Sequence, residues 1–122
     1  MGHTFHSLLI SGARFQLFEI VVDGHHLVQE FVDGLSEAEQ KKVGALLRRT
    51  AENGLPRSSE HFKKLDNDLF EFKAHQVRIF CAFRGKSILV LTHGIKKKKD
   101  KHDKKDMDRA KQLLKQLDEQ RG

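Results

Sequence analysis

Leu69-Phe70-Glu71-Phe72-Lys73, Val77-Arg78-Ile79-Phe80-Cys81-Ala82-Phe83 and Ser87-Ile88-Leu89-Val90-Leu91-Thr92-His93 follow one another with only Ala74-His75-Gln76 and Arg84-Gly85-Lys86 between them. Runs of this length, rich in β-branched and aromatic residues and separated by turn-length gaps, predict successive strands that pair antiparallel. In the first run alternation puts Phe70 and Phe72 on one face, against the core, and Glu71 and Lys73 on the other, available for chemistry. The second is nearly all apolar, as expected of a central strand covered on both faces, with Arg78 its single charge. Arg84-Gly85-Lys86 reads as the hairpin turn into the third. Gly94-Ile95 then leads straight into Lys96-Lys97-Lys98-Lys99, so the basic cluster is expected to begin where the sheet ends.

Upstream, Phe62 to Leu65 is a short candidate strand, and Pro56 to His61 is a polar connection without periodicity. Ser36 with Glu39 three residues later has the form of a capping box, and Val43, Leu46, Leu47 and Ala51 carry a helix from it to Asn53-Gly54. Leu27, Val28, Phe31, Val32 and Leu35 predict a shorter amphipathic helix ending near Gly34. Phe15 to Asp23, closed by Asp23-Gly24, is the expected first strand, preceded by a short polar-mixed start. From about Asp103, Met107, Ala110, Leu114 and Leu117 recur on one face of a final helix. The expected fold is α+β with the order β-α-α-β-β-β-α: a small, largely antiparallel sheet with two N-terminal helices packed on it and a C-terminal helix.

A chain of 122 residues is the size of one domain, 1–122, built on one core. Up to Ile95 it has 12 Lys and Arg against 11 Asp and Glu, whereas from Lys96 onward it has 11 against 6. A positive field gathered at one end is what a polyanion seeks, because Lys and Arg on phosphates release condensed counterions; a solvated charge run flanking a helix is the plainer alternative. Cys81 is the only cysteine, which excludes an intrachain disulfide and a thiolate metal cluster and suits a reducing, cytoplasmic setting. Met1 to His6 lacks the regions of a signal peptide, and no run reaches the roughly 20 apolar residues that span a bilayer, so no membrane partner is expected.

Four pieces in order, Val28-Gln29-Glu30-Phe31-Val32-Asp33-Gly34-Leu35, Leu69-Phe70-Glu71-Phe72-Lys73, Val77-Arg78-Ile79-Phe80 and Leu91-Thr92-His93-Gly94-Ile95-Lys96-Lys97, resemble the RelE/HigB superfamily of toxins, in particular its phage-derived HigB-like branch. The resemblance runs from about Phe15 to Leu117 and implies a RelE/ParE-like fold. It also implies the toxin of a type II toxin–antitoxin system: a ribosome-dependent or free mRNA endonuclease, neutralised by an antitoxin that usually carries a helix-turn-helix domain. Cleavage in that family is metal-independent. The ribose 2′-hydroxyl attacks the adjacent phosphate, and basic residues on the open sheet face stabilise the phosphorane. Two departures stand out. The family often places a tyrosine on the strand that here reads Phe80-Cys81, and this chain has no tyrosine; the family's Lys-Thr-Gln-Lys-Thr-Pro stretch is replaced here by Lys98 to Asp103, so no position is carried over beyond Lys97.

Such a reaction needs fixed cationic donors for the developing phosphate charge, which Arg78, Lys73 and Lys96 to Lys98 can supply. It also needs a base for the 2′-hydroxyl proton and an acid for the leaving oxygen, for which Glu71 and His93 are the candidates. Each has a plainer reading. Arg78 and Glu71, on neighbouring strands, can form a structural ion pair; His93, expected to stay neutral through repulsion by nearby lysines, can instead be a solvent-facing strand end. Lys63 and Lys64 either extend the RNA-binding face or protect an edge strand. His25-His26 reads as a surface pair at a helix start, and with no ligand set at metal spacing neither a metal nor another cofactor is expected. Two further functions stay open: a non-catalytic RNA- or ribosome-binding relative, and a DNA gyrase poison on the same fold.

Overall fold

A computed structural model describes residues 3–97 and 104–121. The elements run β1 (Thr4–Ser11), β2 (Gln16–Val22), β3 (His25–His26), α1 (Leu27–Asp33), α2 (Glu37–Asn53), β4 (Phe62–Asp66), β5 (Leu69–Ala74), β6 (Val77–Phe83), β7 (Ile88–Lys96) and α3 (Lys104–Arg121). The sheet order is β1-β2-β7-β6-β5-β4, with β3 a short addition to β2. All pairs are antiparallel except β2 with β7, which the crossover through both N-terminal helices makes parallel. The expected α+β class holds. Thr4–Ser11 corrects the expected start: it is an eight-residue strand that hairpins with β2, so that β2 lies inside the sheet between β1 and β7.

Helices cover both faces. Val28, Leu35, Val43, Leu46, Leu47 and Ala51 of α1, α2 and their connection pack on Leu17, Phe72, Ile79, Cys81, Leu89 and Leu91. On the other face Ala110, Leu113, Leu114 and Leu117 of α3 pack on Ile20, Leu69, Phe80, Ala82 and Val90. β6 therefore lies between two apolar layers, and Val77 to Ala82 are all buried, as its composition requires.

Local chemistry fixes the helix starts. Ser36 caps α2 by accepting from the Glu39 amide at 3.2 Å, while Glu39 accepts from the Ser36 amide at 3.0 Å. α1 is capped from the sheet: Glu19 of β2, fully buried, accepts from the Val28 and Gln29 amides at 3.1 and 3.0 Å and from Gln29 Nε2 at 2.6 Å, with His26 Nδ1 at 3.0 Å. Four polar partners are what keep a buried carboxylate tolerable there.

Candidate functional site

Register assigns the faces. Glu71 lies opposite Phe80, and Lys73 opposite Arg78, across β5–β6, so all four belong to the α3 side by alternation. Across β6–β7, Ile79 pairs with Gly94 and Cys81 with Leu91, so Thr92 and His93 together face Phe80 in a β-bulge. The extra residue turns His93 onto the α3 side, where its ring stacks on Phe80 at 4.9 Å between centroids and 23° between planes. Arg78, two residues along β6, is about 7 Å away along the strand.

Arg78 and Glu71 are brought together. The Arg78 Nε lies 3.7 Å from Glu71 Oε1, with the two residues 5 % and 1 % exposed. Arg78 Nη1 also donates to the carbonyls of His75 and Val77, the latter at 3.0 Å. His75 sits at φ +57°, the left-handed value a two-residue hairpin turn demands, and the guanidinium ties that turn to β6. The face expected to be available for chemistry is thus largely covered at Glu71, because this side of the sheet is a second core under α3 rather than an open surface.

His93 is likewise buried, not a solvent-facing strand end. Its pKa is lowered to about 4, by burial first and by the Arg109 charge second. The expected neutrality holds, but its cause is desolvation more than repulsion by lysines. Thr92 Oγ1 donates to the Phe80 carbonyl at 3.2 Å, so the 3.3 Å contact with His93 Nδ1 is a bond that the imidazole donates. That tautomer leaves the bare lone pair on Nε2, which is buried with no hydrogen-bond partner among the described residues.

The lysines scatter. Lys63 and Lys64 are exposed on β4, the sheet edge, opposite Glu71 and Phe70 respectively, and so point to different faces. Lys73 is half-buried where β5 runs past β4. Lys96, still within β7, is engaged by Glu39 of the α2 capping box at 3.0 Å, which with the Ser36 amide holds the Glu39 carboxyl down at about 2. Lys97 follows, its amide on the Gln76 carbonyl at 2.7 Å, and Lys98 lies outside the described residues. No group of three or more His, Cys, Asp or Glu at ligand spacing occurs among the described residues. Burial, helped by the Glu71 charge, pushes the Cys81 thiol up, as befits a core residue. The residues that sequence reasoning missed are Thr92, which sets the tautomer of His93, and Arg109, which faces it from α3; only the fold brings either one there.

Residues 30–115, from within α1 to late in α3, match the family model described as phage-derived protein Gp49-like (DUF891). The chain belongs to the Gp49-like family. This is a RelE-type, toxin-like family, and its match spans Glu71, Arg78 and His93 while leaving β1 and β2 outside. Comparison with curated proteins gives no match. Among the described residues no helix of this Gp49-like chain is long and apolar enough to cross a membrane.

Proposed function

We propose that this Gp49-like protein is the toxin of a type II toxin–antitoxin system, a cytoplasmic single-domain mRNA endonuclease that acts at the ribosome, needs no metal and is neutralised by a helix-turn-helix antitoxin. The observation that carries the reading is the shared face of β5, β6 and β7, to which Arg78 and a neutral His93 with a bare Nε2 both belong, Arg78 two residues along β6 from the Phe80 on which the imidazole stacks. His93 Nε2 takes the proton of the ribose 2′-hydroxyl; the 2′-oxygen bonds to phosphorus and the bond to the 5′-oxygen breaks as that oxygen takes a proton from water, leaving a 2′,3′-cyclic phosphate and a 5′-hydroxyl end, and the imidazolium returns its proton to solvent. Arg78, with Lys73 in register beside it, stabilises the charge on the crowded phosphorus. Glu71 orients Arg78 and is a positioning residue. Since Arg78 and His93 are 5 % and 6 % exposed, the reaction requires this face to open when substrate binds.

One observation favours a second reading, an RNA- or ribosome-binding protein without turnover: Arg78 is already engaged by Glu71 and two turn carbonyls, as a structural arginine is. End chemistry separates the two. Incubated with translating ribosomes, the nuclease yields fragments carrying 5′-hydroxyl and 2′,3′-cyclic phosphate ends, reduced 100-fold or more, as an order of magnitude, in Arg78→Lys. Ribosome binding with intact mRNA supports the second reading, and intact mRNA with a DNA-damage response supports gyrase poisoning.

A further inference from the structure

Away from that face, three cavities of about 380, 340 and 380 Å³ lie end to end along α2. The first and second share Lys42 and His75, the second and third share Arg49 and His61, so together they form one continuous trough. Lys42 and Arg49 stand seven residues apart, two helical turns, and so project from the same stripe of α2. Across from them are the end of β5 and its turn, with His75, and the loop that carries Arg57 and His61.

The charge of this trough is one-sided. Glu39 is its only acidic lining residue, and Lys96 neutralises it. Lys42, Arg49 and Arg57 make no ion pair among the described residues, whereas Lys41, Arg84 and Lys111 elsewhere on the surface each meet a carboxylate. Three unneutralised cations along a bounded groove hold a potential that a chain of phosphates satisfies better than any single anion. At the β5–β6 turn the trough meets the candidate site: the His75 carbonyl accepts from Arg78, and the end of β5 that borders the trough carries Lys73 in register with Arg78 on its other face.

We propose that the trough beside α2 binds a single strand of RNA, its phosphates on Lys42, Arg49 and Arg57, and leads that strand to the β5–β6 turn. The choice of RNA as the polyanion rests on the toxin reading above. The test is fluorescence anisotropy of a labelled, mixed-sequence, 2′-O-methyl RNA oligonucleotide, which cannot be cleaved, titrated at several salt concentrations. Lys42→Ala/Arg49→Ala is compared with Lys41→Ala/Arg48→Ala, which removes the same charge from an adjacent stripe of the same helix; all four side chains are exposed, and circular dichroism checks that both variants fold.

The first pair is expected to weaken binding about tenfold or more and to flatten the dependence of log K on log salt by about 1.4, or about 0.7 per lost phosphate contact, with the second pair nearly unchanged. Equal losses in the two pairs, no loss in the first, or tighter binding of duplex DNA would overturn the proposal. Binding through Lys42 and Arg49 by a protein that cuts no RNA leaves the trough standing and removes the nuclease. Cleavage by a protein whose Lys42→Ala/Arg49→Ala variant binds normally does the reverse.

Discussion

Glu19 and His93 are two buried polar residues with opposite needs. Glu19 is surrounded by donors, so Glu19→Ala strands the Val28 and Gln29 amides at the start of α1. A loss of about 3 kcal/mol is expected, read as a lower urea midpoint at unchanged slope. His93 is held near pKa 4 in the fold against the ordinary 6.5, so between these values the unfolded chain binds more protons than the folded one. Its contribution is full above pH 6.5 and is lost as pH falls toward 4, on the order of 3 kcal/mol in all; His93→Gln should flatten that part of the stability profile, and the NMR titration of the His93 imidazole, assigned by its loss in His93→Gln, should show no midpoint above pH 5. An unchanged profile together with a midpoint near 6.5 would mean that the ring is not buried. The Arg78–Glu71 partnership was legible in the sequence, because a lone charge in an apolar strand requires a partner on the next strand. The burial of His93 was not: it depends on a bulge, which strand alternation alone does not reveal.

Elements were readable wherever a local signal coincided with a long-range need. The Ser36 capping box started α2 where expected, and Ser36→Ala should cost about 1 kcal/mol in thermal or urea unfolding. β1 was missed because Thr4–Ser11 shows no clean alternation. A register shift between Leu8 and Ile10 breaks its pattern, and its strand character comes from pairing with β2 rather than from its own periodicity. Gly94 shows the same dependence on context. A Cβ at that position would lie 2.3 Å from Phe31 Cδ2, so α1 packs on β7 only because residue 94 has no side chain. Gly94→Ala is expected to destabilise by about 1–3 kcal/mol. Destabilisation by Gly94→Ala no larger than that of an exposed glycine with ordinary backbone angles, such as Gly34→Ala, would contradict this packing. The cations of the α2 trough were also visible as an i, i+7 pair, but the wall opposite them is built by the end of β5, its turn and the loop before β4, which no helical pattern announces.

At the scale of the molecule, the sheet separates two surfaces that meet at the β5–β6 turn: the covered face of Glu71, Arg78 and His93, and the open basic trough beside α2. The localised excess of lysine after Ile95 drew attention to the chain's end, yet Lys96 is spent on Glu39, and the unneutralised cations among the described residues lie largely upstream, on α2 and around β4–β5. Net charge along a sequence does not reveal which cations the fold neutralises. The central claim is that this chain cuts mRNA and needs Arg78 to do so. Its most direct test is to induce the protein in bacteria without an antitoxin and map 5′ ends across cellular mRNAs, beside Arg78→Lys, which keeps a cation for Glu71, and Arg78→Ala. New 5′ ends in the wild type that vanish in both variants, with the variants accumulating as folded protein, are the predicted result. Growth arrest with intact mRNA, or cleavage that persists in folded Arg78→Lys and Arg78→Ala, would contradict it.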